Sequence, residues 1–374
     1  MPQMSQRESR PFRAVFARHW RAYEARFGAK IPRMHRRAAQ AILHCRTPAM
    51  GGHLYACEHC GDRHYRYHSC NHRSCPNCGQ RDAADWAKRQ RAKLFPVAHR
   101  MVTFTVPAEL RRVFRSNQRV CFDAFFRACA ETLQAVAGEP KYIGGRLGLL
   151  GVLHTWTRQL EYHPHIHFLV TQGGLSAEGT WRRPRYASYF LPFKRLSIDL
   201  RIRMERVFRE QHPEIHAAVP RSVWRAAWVC HIGEPGNGSH AIDYLSRYVT
   251  QTALSKKRIL DDDGKQVTIR YTESATGQSR QLRLDGYEFI RRLLQHVLPK
   301  GFKRIRAYGL YAPAAKKKYL AVCALLAHWP HERPAKPRTE PPECPRCRLD
   351  MVRIGKLARG PPAGPPARNR GGTS

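Results

Sequence analysis

The stretch Tyr162-His163-Pro164-His165-Ile166-His167-Phe168-Leu169-Val170 restricts the fold more tightly than any other part of the chain. With the two-residue period of a strand, Ile166, Phe168 and Val170 share one face and His163, His165 and His167 the other. One face then belongs to a core and the other carries imidazoles. Pro164 suits the first residue or an edge position of such a strand, because it has no N–H to give a ladder. Alternate positions on one face lie roughly 6–7 Å apart, so His165 and His167 can share one divalent cation. His163 and His167, about 13 Å apart, cannot both be primary ligands of that cation. A lone histidine here would be a solvated surface group, whereas histidines two apart against an apolar face point to metal.

Two imidazoles leave a cation under-coordinated. Leu147 to Trp156 forms a second strand, turned back through Arg158 to Tyr162, and this hairpin sets His154 opposite the neighbourhood of Ile166. A one-residue slip decides whether it faces the metal, so His154 is the first candidate for a third ligand and His163 a further one. Magnesium or manganese is the expected ion, with manganese the better match for imidazole.

A nucleophile has to come from elsewhere. Ser239 can cap a helix through His240 to Val249, in which Ile242, Leu245 and Val249 form an apolar stripe. Tyr244 and Tyr248 sit together roughly a quadrant from that stripe, one turn apart. Such a pair is usually core packing, but beside a histidine strand it supplies two phenolic nucleophiles for phosphodiester chemistry. A cation held by imidazoles polarises the scissile phosphate, and tyrosine attacks to form a phosphotyrosine that stores the bond energy.

Among twelve cysteines, Cys57-Glu58-His59-Cys60 and Cys75-Pro76-Asn77-Cys78 form two knuckles with zinc-site spacing. Cys57, Cys60, Cys75 and Cys78 are the expected ligands of a structural zinc, with Cys70, His64 or His72 as substitutes. The module has almost no apolar core and should need its metal to fold. Cys344 and Cys347 form half a knuckle, which His328 and His331 would complete.

Lys plus Arg number 66 against 28 Asp plus Glu, a net charge of +38, and nucleic acid is the expected partner of so basic a protein. Arg63, Arg66, Arg73, Arg81, Arg247, Lys300, Lys303, Arg304 and Arg306 are the candidate DNA contacts. Neither a signal-like leader nor a long apolar run stands out, so the expectation is no membrane and a cytoplasmic, nucleoid-associated protein.

The segment His165-Ile166-His167-Phe168-Leu169-Val170 resembles the metal-binding motif of HUH single-strand endonucleases, which include rolling-circle initiators, relaxases and some transposases. The cysteine module, Leu153-His154-Thr155-Trp156, the histidine strand and Tyr244-Leu245-Ser246-Arg247-Tyr248 together resemble the two-tyrosine HUH transposases of the insertion-sequence 91 family. The likeness continues through Glu288 to Arg292, His296 to Phe302 and Arg304 to Gly309. Departures lie in Val249-Thr250-Gln251, where Thr-His-Arg is common, and in Ala253-Leu254-Ser255-Lys256-Lys257, where Ala-Ile-Ser-Asn is usual. The resemblance implies rolling-circle transposition. One strand is nicked at an element end, the tyrosine is linked to the 5′ end, the strand is displaced with host replication machinery, and it is joined to target DNA.

The resulting expectation is an α/β (α+β) fold: an HUH domain with a central antiparallel sheet flanked by helices, preceded by a helical and zinc-binding module. Its boundaries are 1–98 for the basic helical and zinc module, 99–328 for the nuclease domain and 329–374 for a disordered Pro/Gly/Arg-rich tail. Two other functions compete: an HUH replication initiator or relaxase of a plasmid or phage, and a non-catalytic zinc-dependent DNA-binding protein in which the tyrosines are core.

Overall fold

The computed structural model describes residues 12–78, 80–186, 189–250, 253–273, 275–328 and 341–360. Its centre is an antiparallel sheet with strand order Ile305–Gly309, Gly148–Trp156, Tyr162–Thr171, Ala98–Thr105 and Val229–Ile232. The two longest strands are buried on both faces, so they read as apolar runs interrupted by the histidines. Leu149, Leu153, Ile166, Phe168, Val170, Val102 and Phe104 point to one side. Phe122, Phe125, Phe126 and Leu133 of the helix Gln118–Gly138 meet them, and the helix Phe193–Gln211 adds Leu196, Leu200, Met204 and Phe208. Packing is close enough that a Cβ on Gly151 would stand 2.7 Å from the Phe168 ring, so this central-strand position requires glycine.

The opposite side changes character along the strands. Leu150, Val152 and Leu169 are covered by Ile242 and Leu245 of the helix Gly238–Thr250 and by Trp86, Ala87 and Leu94. One residue pair further, the same face carries His154, His165 and His167. The expected cap of that helix is replaced: Asn237 Oδ1 accepts from the His240 N–H at 3.4 Å, so Ser239 lies inside the helix.

A second core joins distant segments. The basic N-terminal stretch forms two helices, Phe12–Phe27 and Arg33–His44, broken where Gly28 takes a positive φ and Pro32 follows. Phe12, Phe16, Trp20 and Tyr23 stack along the first helix and pack with Leu254, Ile259, Val267, Ile269, Phe289 and Ile290. A hairpin turns around Thr276-Gly277, pairing Ile269 with Leu282 and Thr272 with Ser279, and a third strand, Ile259–Asp262, joins it. Asp262 is 1% exposed and is held by His19 Nε2 at 2.8 Å and by Arg18 Nη1 at 2.9 Å.

Part of the C-terminal tail corrects the expectation of disorder. Residues 341–360 are ordered, and Val352–Leu357 pairs antiparallel with Gly52–Ala56, which pairs in turn with Arg63–Tyr67. The ends of the chain therefore build one three-stranded sheet. Among the described residues no helix is long and apolar enough to cross a membrane.

Candidate active site

The register of the two central strands settles the position of His154. It pairs with His165, and Val152 with His167, so His154 lies on the imidazole face one residue from the expected point. One nitrogen from each of His154, His165 and His167 falls within 4.8 Å of the others. All three are buried, at 7%, 9% and 8% exposure.

Hydrogen bonds orient the rings. His165 Nδ1 donates to the His163 carbonyl oxygen at 2.7 Å, which leaves the Nε2 lone pair facing the cluster, 2.8 Å from His154 Nδ1. His167 Nδ1 lies 2.9 Å from Thr103 Oγ1 on the neighbouring strand, so its Nε2 is likewise the inward nitrogen. Burial in this cationic protein holds His165 down to about 3 and His167 to about 4, and burial followed by the other two rings holds His154 well below the ordinary value. The imidazoles are therefore neutral at pH 7, the form that binds metal. Adjacent ligands of an octahedral ion at about 2.1 Å stand about 3 Å apart, so the donor set and its spacing fit a divalent cation. Three nitrogen donors favour manganese over magnesium. His163, expected as a further ligand, is not in this group: Arg111 Nη2 donates to its Nδ1 at 2.8 Å.

Tyr244 comes to the same place from the opposite element. Its ring is 40% exposed and stands 5.6 Å from the His167 ring, nearly perpendicular at 86°. The apolar stripe fixes this, because Ile242 and Leu245 seat the helix on Leu150 and Leu169 and leave Tyr244 beside the histidines. An ion pair between Arg91 and Asp243 also ties this helix to the helix Gln80–Arg91. Tyr248 follows one turn later in the same helix, and its side chain, like those of Arg247 and Arg81, lies outside the described residues.

The cysteines divide differently from expectation. Cys75 and Cys78 group with Cys45 and Cys70, while Cys57 and Cys60 face Cys344 and Cys347. The hairpin explains the correction. Cys57 and Cys60 sit at its turn, and Cys45, Cys70, Cys75 and Cys78 lie beyond its open end, five paired residues or roughly 15 Å away. Neither His328 nor His64 or His72 belongs to a cysteine group, and His331 lies outside the described residues. In the first group Cys45 Sγ lies 3.3 Å and Cys70 Sγ 3.5 Å from Cys78 Sγ. Sulfur hydrogen bonds from Cys70 and Cys75 pull the Cys45 thiol down, and Cys70 and Cys75 are pushed up in return.

Some of the expected DNA contacts serve the fold. Arg73 Nη1 donates to the Phe302 carbonyl at 2.7 Å, stapling the cysteine loop to the loop ahead of the strand Ile305–Gly309. Arg304 is buried over the Trp156 ring, and burial lowers it to about 10. Arg306 pairs with Asp123 and lies over Phe126 and Phe302. Arg63, Lys300 and Lys303 are exposed and Arg66 is half-buried. Sequence reasoning missed Thr103, Cys45 and Trp156. Trp156 packs 4.2 Å from the His154 ring, and only strand pairing reveals its role.

A family model described as "Transposase zinc-binding domain" matches residues 15–106, and one described as "Putative transposase" matches residues 148–319. The chain is 33% identical over 370 residues to the "Putative transposase y4qJ" of Sinorhizobium fredii, covering 93% of this chain and 91% of that protein. It is 29% identical over 293 residues to the "Transposase for insertion sequence element IS801" of Pseudomonas savastanoi pv. phaseolicola, covering 75% of this chain and 70% of that one. No solved structure matches the chain. An antiparallel sheet bearing a histidine trio, a zinc-binding module ahead of it and these two relatives place the chain in the insertion-sequence 91 family of transposases.

Proposed function

We propose that this transposase nicks and rejoins single-stranded DNA through a 5′-phosphotyrosine, in rolling-circle transposition with host replication machinery. The observation that carries the reading is Tyr244 beside His167, with His154 and His165 completing a neutral donor set. His154, His165 and His167 would hold manganese or magnesium, which when bound polarises the scissile phosphate and offsets charge developing on it.

The chain's own residues supply the rest. Tyr244, exposed on one side, reaches a strand lying in front of the sheet, and its phenol loses a proton to solvent as it attacks. A bond forms between the phenolic oxygen and phosphorus, and the bond from phosphorus to the 3′ oxygen breaks. That oxygen takes up a proton and leaves as a 3′ hydroxyl. A later 3′ hydroxyl reverses the step onto new DNA, with no nucleotide cofactor. Tyr248, one turn on, is the second nucleophile, so one site can carry two covalent strands. Exposed Arg63, Lys300 and Lys303 hold phosphates, and Cys45, Cys70, Cys75 and Cys78 hold a structural zinc.

The test uses single-stranded oligonucleotides from the DNA flanking the gene, with manganese. A covalent protein–DNA band that Tyr244→Phe with Tyr248→Phe abolishes while binding persists is the expected result. An undiminished band in the double variant would remove these nucleophiles, and binding without any cleavage would favour a non-catalytic DNA-binding protein.

A further inference from the structure

We infer that Cys57, Cys60, Cys344 and Cys347 form a second tetrahedral zinc site, which clasps the C-terminal segment onto the N-terminal module. Neither family match reaches its last two ligands, because they end at residues 106 and 319. The four Sγ atoms lie within 4.8 Å of one another. Cys57 stands 3.3 Å from Cys347, Cys60 3.5 Å from Cys344 and 3.8 Å from Cys347. Tetrahedral zinc with sulfur at about 2.3 Å places its ligands about 3.8 Å apart. Both pairs have the two-residue knuckle spacing, and each folds back on itself: the Gly61 N–H donates to the Cys57 carbonyl and the Arg348 N–H to the Cys344 carbonyl, each at 2.9 Å. The two knuckles thus share one local geometry and face each other at a sequence separation of 284 from Cys60 to Cys344.

The surroundings require a metal. Among the described residues the only fully buried apolar companion of these thiols is Met351, with Tyr55 partly buried beside them, so hydrophobic burial is too small to hold the segment. Charge works against docking as well. The register sets Arg66 and Lys356 on either side of His53, with Arg353 beside Tyr55, gathering three cations on one sheet face. Like charges gathered on one face within a Debye length repel and oppose docking of the outer strand. Four thiolates around Zn²⁺ carry a net double negative charge, which offsets these cations and closes the end of the sheet. A four-thiolate set has no open position, so the site is structural.

The test is metal analysis of the full chain purified under reducing conditions. Two zinc per chain are expected, falling to one in Cys344→Ser with Cys347→Ser, while Cys70→Ser with Cys78→Ser loses the other. To keep the test independent of how the variants fold, the wild-type protein is also alkylated and mapped by mass spectrometry. Cys57, Cys60, Cys344 and Cys347 should resist together until a chelator strips the zinc, and then react together. One zinc per chain, Cys344 and Cys347 alkylated without zinc loss, a Cys57–Cys347 disulfide, or iron in place of zinc would each overturn the site. The readout does not involve cleavage, so it stands apart from the fate of the tyrosine assignment.

Discussion

The Tyr244 ring meets the His167 imidazole edge-on, with centroids 5.6 Å apart and planes at 86°. The two residues belong to elements with no pairing between them, a helix and a central strand. Ile242 and Leu245 lock the helix to the apolar half of the sheet, and the same face beyond that half is imidazole. A partly exposed phenol and three buried imidazoles are thereby held in one orientation by ordinary core packing.

His165→Ala and His167→Ala should each lower cleavage by at least about 100-fold, with zinc content unchanged. The measurement pairs a manganese-dependent cleavage assay with metal analysis of the same preparations. Zinc lost from either variant would mean that the two kinds of site have been confused.

Thr103→Val keeps the shape of the side chain and removes the partner of His167 Nδ1. An outer hydrogen bond of this kind contributes about 10–100-fold in metal affinity. Half-saturating manganese should therefore rise by about that factor, with cleavage recovering at high manganese. An unchanged titration would show that Thr103 does not orient the ring.

Acid should destabilise the protein through buried histidines outside the His154, His165 and His167 trio. Burial holds His35 and His99 down to about 4 and His296 to about 3 against an ordinary value of 6.5. The unfolded chain therefore binds their protons first. Stability is full above about pH 6.5 and falls as pH drops toward 4, each group contributing on the order of 1–3 kcal/mol. The urea midpoint of wild type should decline between pH 7 and pH 5, and His296→Gln should flatten that decline. Parallel curves for the two proteins would refute the assignment.

Gly286→Ala would place a Cβ 1.9 Å from His19 Nδ1, in a ring that binds buried Asp262. Displacing His19 should cost about 1–3 kcal/mol in urea unfolding. A midpoint equal to that of wild type would show that the N-terminal helix yields without strain.

Local pattern revealed much of this. The two-residue alternation placed His165 and His167, and the 3.6-residue stripe placed Tyr244 off the core, because each depends on neighbours in sequence. His154 needed the pairing register, which Leu149 to Leu153 set by packing against distant helices. The cysteine groups were misread for the same reason. Spacing identified the knuckles, but a five-residue hairpin carries Cys57 and Cys60 away from Cys75 and Cys78, and their partners come from the other end of the chain. Arg73, Arg304 and Arg306 looked like phosphate contacts because sequence cannot distinguish a guanidinium in solvent from one over an aromatic ring.

The strand Val352–Leu357 leaves the ribosome long after the hairpin it completes. With a sequence separation of 284 from Cys60 to Cys344, and synthesis at about 5–20 residues per second, the wait is roughly a quarter of a minute to a minute. A nascent transposase would spend that interval with the edge of Gly52–Ala56 uncovered. A frameshift or stop codon late in the gene would leave it so permanently, with the nuclease strands intact and the far end of the molecule unfinished.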